Sequence, residues 1–102
     1  MSELATVSTH VLDVASGRPA AGVRVTLGTR TLTTDDNGRI ADLSGGGINP
    51  GTYRLLFEVG AYFDKSAHLF ETVSLELKLA EGRHYHVPLL LSPFGYSTYR
   101  GS

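Results

Sequence analysis

Short runs of alternating apolar and polar residues, separated by turn residues at intervals of roughly ten, extend through nearly all of the 102-residue chain. Alternation with a period of two places successive side chains on opposite faces of a strand, so such runs are typical of sheets that pack on a core. The clearest run is the segment 73–79, Val-Ser-Leu-Glu-Leu-Lys-Leu. Strands do not alternate with long helices, and the pattern therefore predicts an all-β antiparallel sandwich of two sheets.

The predicted strands are bounded by segments rich in glycine, proline, asparagine and aspartate, which favour turns. They cover the ranges 6–14, 23–27, 29–34, 52–59, 73–79 and 85–91. The segment 60–68 predicts one short helix. The pair Asn37-Gly38 predicts a tight turn with positive φ values, and Pro88, inside the last strand, predicts an edge or a bulge.

The composition is that of one ordinary globular domain over residues 1–102, with 41% hydrophobic and 19% charged residues. Nine basic and ten acidic residues give a net charge of −1, so electrostatics does not favour nucleic acid or an anionic membrane as partner. The absence of cysteine excludes disulfides, thiolate metal sites and thiol nucleophiles. The segment 1–6 lacks the basic and apolar regions of a signal peptide, and no apolar run could span a membrane, so we expect a cytoplasmic protein.

Candidate chemistry concentrates in the last nineteen residues, 84–102, which contain two of the four histidines and three of the five tyrosines. His84 and His86 share one face of a strand, and imidazoles with a pKa near ~6.5 can act as acid or base at neutral pH. They could equally be solvated strand residues. They could also chelate zinc, although no carboxylate or cysteine stands at ligand spacing.

Two further residues stand outside this segment. His10 lies on the first predicted strand, and its distance from His86 cannot be deduced from the sequence. Arg39 follows the predicted turn, where it could be a surface charge or a guanidinium that grips an anionic or carbonyl-rich ligand.

Several motifs together resemble those of one family. They are Ser8-Thr9-His10-Val11-Leu12-Asp13, Gly17-Arg18-Pro19-Ala20, Thr34-Asp35-Asp36-Asn37-Gly38-Arg39-Ile40, Gly51-Thr52-Tyr53-Arg54, His84-Tyr85-His86-Val87-Pro88-Leu89-Leu90-Leu91-Ser92-Pro93 and the terminal Tyr99-Arg100-Gly101-Ser102. In these motifs the chain resembles the transthyretin-related 5-hydroxyisourate hydrolases of purine catabolism. The resemblance covers nearly the whole chain, and the last two motifs are the most specific.

The resemblance implies a prealbumin-type sandwich of two four-stranded sheets with one short helix. It also implies a homotetramer, a dimer of dimers with its sites in the central channel. The implied reaction is hydrolysis of 5-hydroxyisourate to 2-oxo-4-hydroxy-4-carboxy-5-ureidoimidazoline, without a cofactor or metal. Carried over by position, the catalytic residues are His10, Arg39 and His86, and the substrate-binding residues are Tyr99, Arg100 and Ser102.

These residue types suit hydrolysis of a ring amide, which needs an activated water and stabilisation of the developing oxyanion. One imidazole of the pair His10 and His86 would take the proton from water, while the other positions the water or later donates a proton. Arg39 would hold the carbonyl oxygens of the substrate. Two other classes stay open from the sequence: a non-catalytic small-molecule carrier of the transthyretin type, and a structural β-sandwich module.

Overall fold

In the computed structural model, which describes residues 3–101, the alternating runs form ten strands and one five-residue helix. In chain order the elements are β1 (Thr6–Asp13), β2 (Arg18–Pro19), β3 (Arg24–Leu27), β4 (Arg30–Thr33), β5 (Arg39–Ile40), β6 (Gly51–Glu58), α1 (Val59–Phe63), β7 (Val73–Leu79), β8 (His84–His86), β9 (Leu89–Ser92) and β10 (Gly95–Thr98). The prediction of a two-sheet sandwich with one short helix is confirmed. The larger sheet has six strands rather than the four that the resemblance implies, because β8 and β9 are separate strands and the short β5 also pairs with β1. The helix is shorter than the predicted range 60–68.

The strands form two sheets, and β1 is the centre of the larger one. This sheet has the order β10-β9-β1-β2, with β5 and β8 also paired to β1. The smaller sheet has the order β4-β3-β6-β7. Four different strands therefore meet β1, which makes it the strand that brings distant parts of the chain together.

The pairing of β1 with the C-terminal strands is parallel, whereas the sequence predicted antiparallel pairing throughout. Thr6, Val7 and Ser8 lie beside His84, Tyr85 and His86, respectively. The next part of β1 runs parallel to β9. Antiparallel neighbours usually follow from a short hairpin, but about seventy residues separate these two segments, so no turn dictates their direction. The other strand pairs in residues 3–101 are antiparallel.

Pro88 divides the predicted strand 85–91 into β8 and β9, because proline has no amide hydrogen to donate to the ladder. The carbonyl of Val87 next to the break accepts a hydrogen bond from Thr9 Oγ1 at 2.7 Å, and the carbonyl of Pro88 accepts one from Thr98 Oγ1 at 2.8 Å. The interruption therefore lies in the interior of the sheet between β1 and β10 rather than at an edge, and the bulge stays a prediction.

The core lies between the two sheets and is built from the apolar face of each alternating strand. Val25, Leu55 and Phe57 from the smaller sheet and Val7 and Leu89 from the larger one have no exposed surface. Burying a side chain of this size stabilises the fold by about 1.5–3 kcal/mol each. The opposite face of β1 carries Thr6, Ser8 and His10 outward, away from this core.

The turn before β5 differs from its prediction in one residue. Gly38 has a positive φ of 75°, but Asn37 does not belong to the positive-φ residues of the described chain. Instead, the Asp35 carboxylate accepts hydrogen bonds from the amides of Asn37 and Arg39, both at 2.9 Å. A carboxylate-capped turn of this kind needs only the glycine in the left-handed region.

Within residues 3–101, no helix has the length and apolar character needed to cross a membrane.

Candidate active site

The parallel register between β1 and β8 assembles the centre of the site. Ser8 lies beside His86, and Thr6 lies beside His84. In each strand the two residues are separated by one position, so all four side chains project from the same face of the sheet. Two imidazoles from the C-terminal part of the chain and two hydroxyls from its first strand are therefore neighbours.

These four side chains form a continuous line of hydrogen bonds. Thr6 Oγ1 is 2.8 Å from His84 Nδ1, and Ser8 Oγ is 2.8 Å from His84 Nε2. Ser8 Oγ is also 2.7 Å from Nδ1 of His86. The single hydroxyl of Ser8 thus bridges the two imidazoles and fixes the plane of the His86 ring. Nε2 of His86 is the nitrogen that stays outside this line.

His10 and Arg39 are brought to the same region by β5. They are direct cross-strand partners in the antiparallel pair of β1 and β5. Gly38, immediately before Arg39, accepts a hydrogen bond on its carbonyl from the Val11 amide at 2.7 Å, which holds the turn against β1. His10 is two positions from Ser8 on β1 and shares its face. The structure therefore brings together His10, Arg39 and His86, whose proximity could not be deduced from the sequence.

Burial and neighbouring positive charge lower the pKa of His86. The largest cause is partial burial of the ring, followed by the charges of Arg39, His84 and His10. Each of these effects disfavours the imidazolium form. His86 is consequently neutral at neutral pH, which is the state required of a general base.

The C-terminal segment passes directly over His86. The Gly101 amide donates to the His86 carbonyl at 2.7 Å. A Cβ atom added at Gly101 would stand 2.7 Å from Cδ2 of the His86 ring, closer than side-chain carbons approach one another. Glycine is therefore required here by close approach to the imidazole rather than by its backbone angles. The tail covers one side of the ring.

Tyr99 and Arg100 occupy a different place from the imidazoles in the single chain. The Arg100 guanidinium carbon lies 4.5 Å from the ring centroid of Tyr85, which points to the opposite face of β8 from His84 and His86. Tyr99 and Arg100 line a groove of about 540 Å³ together with Tyr85 and residues of β7. Within residues 3–101, the lining of this groove does not include His10, Arg39 or His86. Ser102 lies outside the described residues.

Two participants were missed by the sequence analysis, Ser8 and Thr6. Serine and threonine are common on outward strand faces, so their residue types give no functional signal. The period-two alternation of β1 puts both on the face of His10, and this was the available signal.

In the part of the chain that the structure describes, no three histidine, aspartate or glutamate side chains are grouped closely enough to hold a metal ion.

Comparison with known proteins identifies the family. The profile of the HIUase/Transthyretin family matches residues 7–101. The chain belongs to this family. Its similarity to 5-hydroxyisourate hydrolase 2 of Rhizobium meliloti (strain 1021) reaches 42% identity over 120 aligned positions, which cover both chains completely. The probable 5-hydroxyisourate hydrolase of Schizosaccharomyces pombe is 40% identical over 94% of this chain and 90% of its own.

Solved structures of a 5-hydroxyisourate hydrolase and of a transthyretin are similar to this chain. The 5-hydroxyisourate hydrolase of Klebsiella pneumoniae has a TM-score of 0.89 and 37% identity, covering 100% of this chain and 97% of its own. Sea bream transthyretin in complex with thyroxine has a TM-score of 0.85 and 30% identity, covering 93% of each chain. The prealbumin-like sandwich implied by the sequence motifs is therefore confirmed.

Proposed function

We propose that this chain is a 5-hydroxyisourate hydrolase, an enzyme of urate degradation. The observation that carries the proposal is the 42% identity to 5-hydroxyisourate hydrolase 2 of Rhizobium meliloti over the complete length of both chains. The neutral imidazole of His86, with Arg39 and His10 beside it, supplies the chemistry that hydrolysis of a ring amide requires. The product is 2-oxo-4-hydroxy-4-carboxy-5-ureidoimidazoline.

Roles for the site residues follow from their placement. Nε2 of His86 takes a proton from the attacking water, because its Nδ1 is engaged by Ser8. The Arg39 guanidinium holds the carbonyl oxygens of the substrate and stabilises the negative charge that develops on the carbonyl under attack. His10, the cross-strand partner of Arg39, positions the water or donates a proton to the departing ring nitrogen.

Tyr99, Arg100 and Ser102 are proposed to bind substrate from the C-terminal tail. Gly101 ties this tail to the His86 backbone, which supports a position at the rim of the site. In the single chain, however, the Arg100 guanidinium stacks on Tyr85, away from the imidazoles. Substrate binding by Tyr99 and Arg100 therefore requires either a rotation of their side chains or a site shared between subunits.

The assembly is proposed to be a homotetramer of single-domain chains, each domain spanning residues 1–102, with sites in a central channel. One continuous hydrophobic core and a family match over residues 7–101 support the single domain. Edge strands β7 and β10 support association, since an exposed edge is a template for strand pairing with another chain. A cytoplasmic location stays a prediction that fractionation of cells can check.

The carrier alternative is less well supported. It rests on the similarity to sea bream transthyretin with thyroxine, at 30% identity. Relatives that are 40–42% identical over 94–100% of this chain bear the name of the hydrolase instead.

The direct test generates 5-hydroxyisourate in situ from urate with urate oxidase and follows its decay by ultraviolet absorbance. We expect the wild-type protein to accelerate the decay at neutral pH, in the presence of a chelator. Decay at the spontaneous rate, from protein shown to be folded by circular dichroism, would reject the hydrolase. Thyroxine binding measured on the same sample distinguishes the carrier.

A further inference from the structure

The line Thr6–His84–Ser8–His86 runs from the site to the protein surface. Ser8 is only 8% exposed, whereas His84 at the other end of the bridge is exposed. The three contacts of this line measure 2.8, 2.8 and 2.7 Å. Distances of this size are those of good hydrogen bonds, so a proton can be passed between each pair of neighbours.

The donors and acceptors along this line can be arranged in two consistent ways. In the first, Nδ1–H of His86 donates to Ser8, the Ser8 hydroxyl donates to Nε2 of His84, and Nδ1–H of His84 donates to Thr6. This arrangement leaves a lone pair on Nε2 of His86, the form of a base. In the second, every bond is reversed and Nε2 of His86 carries hydrogen, the form of an acid.

We propose that Ser8 and His84 form a proton relay that converts His86 from base to acid during the reaction. The proposal deepens the proposed hydrolase function and rests on it. Both residues act through His86 and are positioning residues. The relay connects Nδ1 of His86 with exposed His84, so His86 need not hold a positive charge beside Arg39 and His10.

The proton transfers balance. Water gives a proton to Nε2 of His86, and its oxygen forms the bond to the substrate carbonyl carbon. Nδ1 of His86 gives its proton to Ser8 Oγ, and the former Ser8 proton passes to Nε2 of His84. Nδ1 of His84 then releases a proton to solvent, and the Thr6 hydroxyl turns to donate to Nδ1. One proton enters the line and one leaves it. When Nε2–H of His86 passes to the departing nitrogen, the Ser8 hydroxyl gives its proton to Nδ1 of His86 and Nε2–H of His84 gives its proton to Ser8 Oγ. Nδ1 of His84 then takes one proton back from solvent, so the line regains its first arrangement and the reaction consumes one water.

The electrostatic surroundings favour this transfer. The groups that act on His86 are Arg39 on β5, His10 on β1 and His84 on β8, all of which disfavour a charged His86. Moving the positive charge to exposed His84 places it where water can solvate it. The Ser8 hydroxyl between the two imidazoles is neutral in both arrangements. The partly buried part of the site therefore carries no additional charge before or after the transfer.

The test compares Ser8→Ala with Ser8→Thr, which keeps the hydroxyl, and with Ser66→Ala, a serine exposed after α1, as matched control. In Ser8→Ala we expect kcat to fall at least about tenfold, though less than the 10²–10⁴-fold loss expected without the His86 imidazole. KM should stay nearly unchanged. Ser8→Thr should recover most of kcat, and Ser66→Ala should match the wild type.

Two readouts separate a relay from a merely structural role. Nitrogen NMR of ¹⁵N-histidine-labelled protein reports the tautomer of His86, and Ser8→Ala should change it even if the protein shows no hydrolase activity. His84→Ala, which also serves if Ser8→Ala does not fold, should lose kcat and regain it when free imidazole is added. An unchanged His86 tautomer in Ser8→Ala, or a His84→Ala variant with normal kcat, overturns the relay. An inactive wild type with the expected tautomer change rejects the hydrolase function and leaves the hydrogen-bonded line intact.

Discussion

The imidazole of His86 takes its properties from residues that lie far apart in the sequence. Ser8 holds Nδ1, burial of the ring together with the charges of Arg39 and His10 disfavours its protonation, and Gly101 covers one side of the ring. None of these effects comes from the strand on which His86 itself lies, apart from the charge of His84. A single side chain is thereby kept neutral and oriented through three other segments, as its proposed role as the base requires.

The lowered pKa of His86 sets the expected pH dependence of activity. The neutral form is the base, so kcat/KM should stay at its plateau through neutral pH and fall on acidification through a pKa below the ordinary value of 6.5. The same shift affects stability. Between the folded pKa and the unfolded value the unfolded chain binds more protons, so the free energy of unfolding contributed by His86 decreases as pH falls through this window.

A pH–rate profile from pH 5 to 8 checks this prediction, with Arg39→Lys and Arg39→Ala as comparison. Removal of the guanidinium in Arg39→Ala should raise the pKa of the acidic limb toward its usual range, whereas Arg39→Lys should keep it low. An acidic limb that lies above 6.5 in the wild type contradicts the proposed state of His86.

Gly101 is the residue at which a single added carbon should disturb the site. In Gly101→Ala the new Cβ would overlap the His86 ring, so either the ring or the tail must move. We expect kcat to fall by about tenfold or more, because a displacement near 1 Å can cost a large factor in rate, while the melting temperature changes little. Gly95→Ala is the control, since its Cβ would make an ordinary contact of 3.6 Å with Ser92. Equal activity of the two variants would show that the tail does not position His86.

At the scale of elements, β1 and the turn before β5 determine where the functional groups meet. Gly38 must adopt its positive φ of 75°, and an added Cβ would collide with the Val11 carbonyl of β1. This close approach lets β5 pair with β1 and places Arg39 opposite His10. A turn built differently would leave the guanidinium away from the imidazoles.

Gly38→Ala should therefore destabilise the protein and also lower its activity. The left-handed backbone alone costs a residue with a Cβ roughly 1–2 kcal/mol. Gly17→Ala is a matched control, because Gly17 has the same φ of 75° but open space around its Cβ position. Urea denaturation should give a larger loss of unfolding free energy for Gly38→Ala than for Gly17→Ala, and only Gly38→Ala should lower kcat/KM. Equal losses would mean that the approach to Val11 is unimportant.

The sequence predicted the longer strands well, but it did not predict the short strands β2 and β5 or the strand β10, and it predicted the pairing less well. Alternation located β3, β6 and β7, because the two faces of each strand have opposite environments. It could not predict that β1 runs parallel to β8, since no local turn links segments so far apart. For the same reason the residue types of Thr6 and Ser8 did not reveal that they contact the histidines. The sequence motifs indicated His10, Arg39 and His86 as candidate site residues. Only the register of β1 with β5 and β8 showed that these residues lie on one face of the larger sheet.

At the scale of the whole molecule, the single chain leaves two sheet edges unpaired on the same side. Strand β7 and the segment after β10 form the two walls of the groove of about 540 Å³. Tyr99 and Arg100 lie along this groove, although they are proposed to bind substrate. Association of chains would cover the edges and could bring these two residues toward a site.

Sedimentation equilibrium should therefore give a mass of about four times the 10.9 kDa chain at micromolar concentration. Lys78→Glu, an exposed change on β7, serves to test whether this edge is involved. Dissociation of Lys78→Glu with loss of activity supports a site that needs more than one chain. A fully active monomer would contradict both the assembly and a shared site.

The most direct measurement compares the initial rate of 5-hydroxyisourate decay for wild type, His86→Ala and His68→Ala. His68 follows α1 and hydrogen-bonds to Ser66 and Glu71, outside the described site, so it controls for the loss of an imidazole as such. We predict that His86→Ala loses about 10²–10⁴-fold in kcat while His68→Ala keeps the wild-type rate. Near-normal turnover by folded His86→Ala would show that hydrolysis takes place without the imidazole at the junction of β1, β5 and β8.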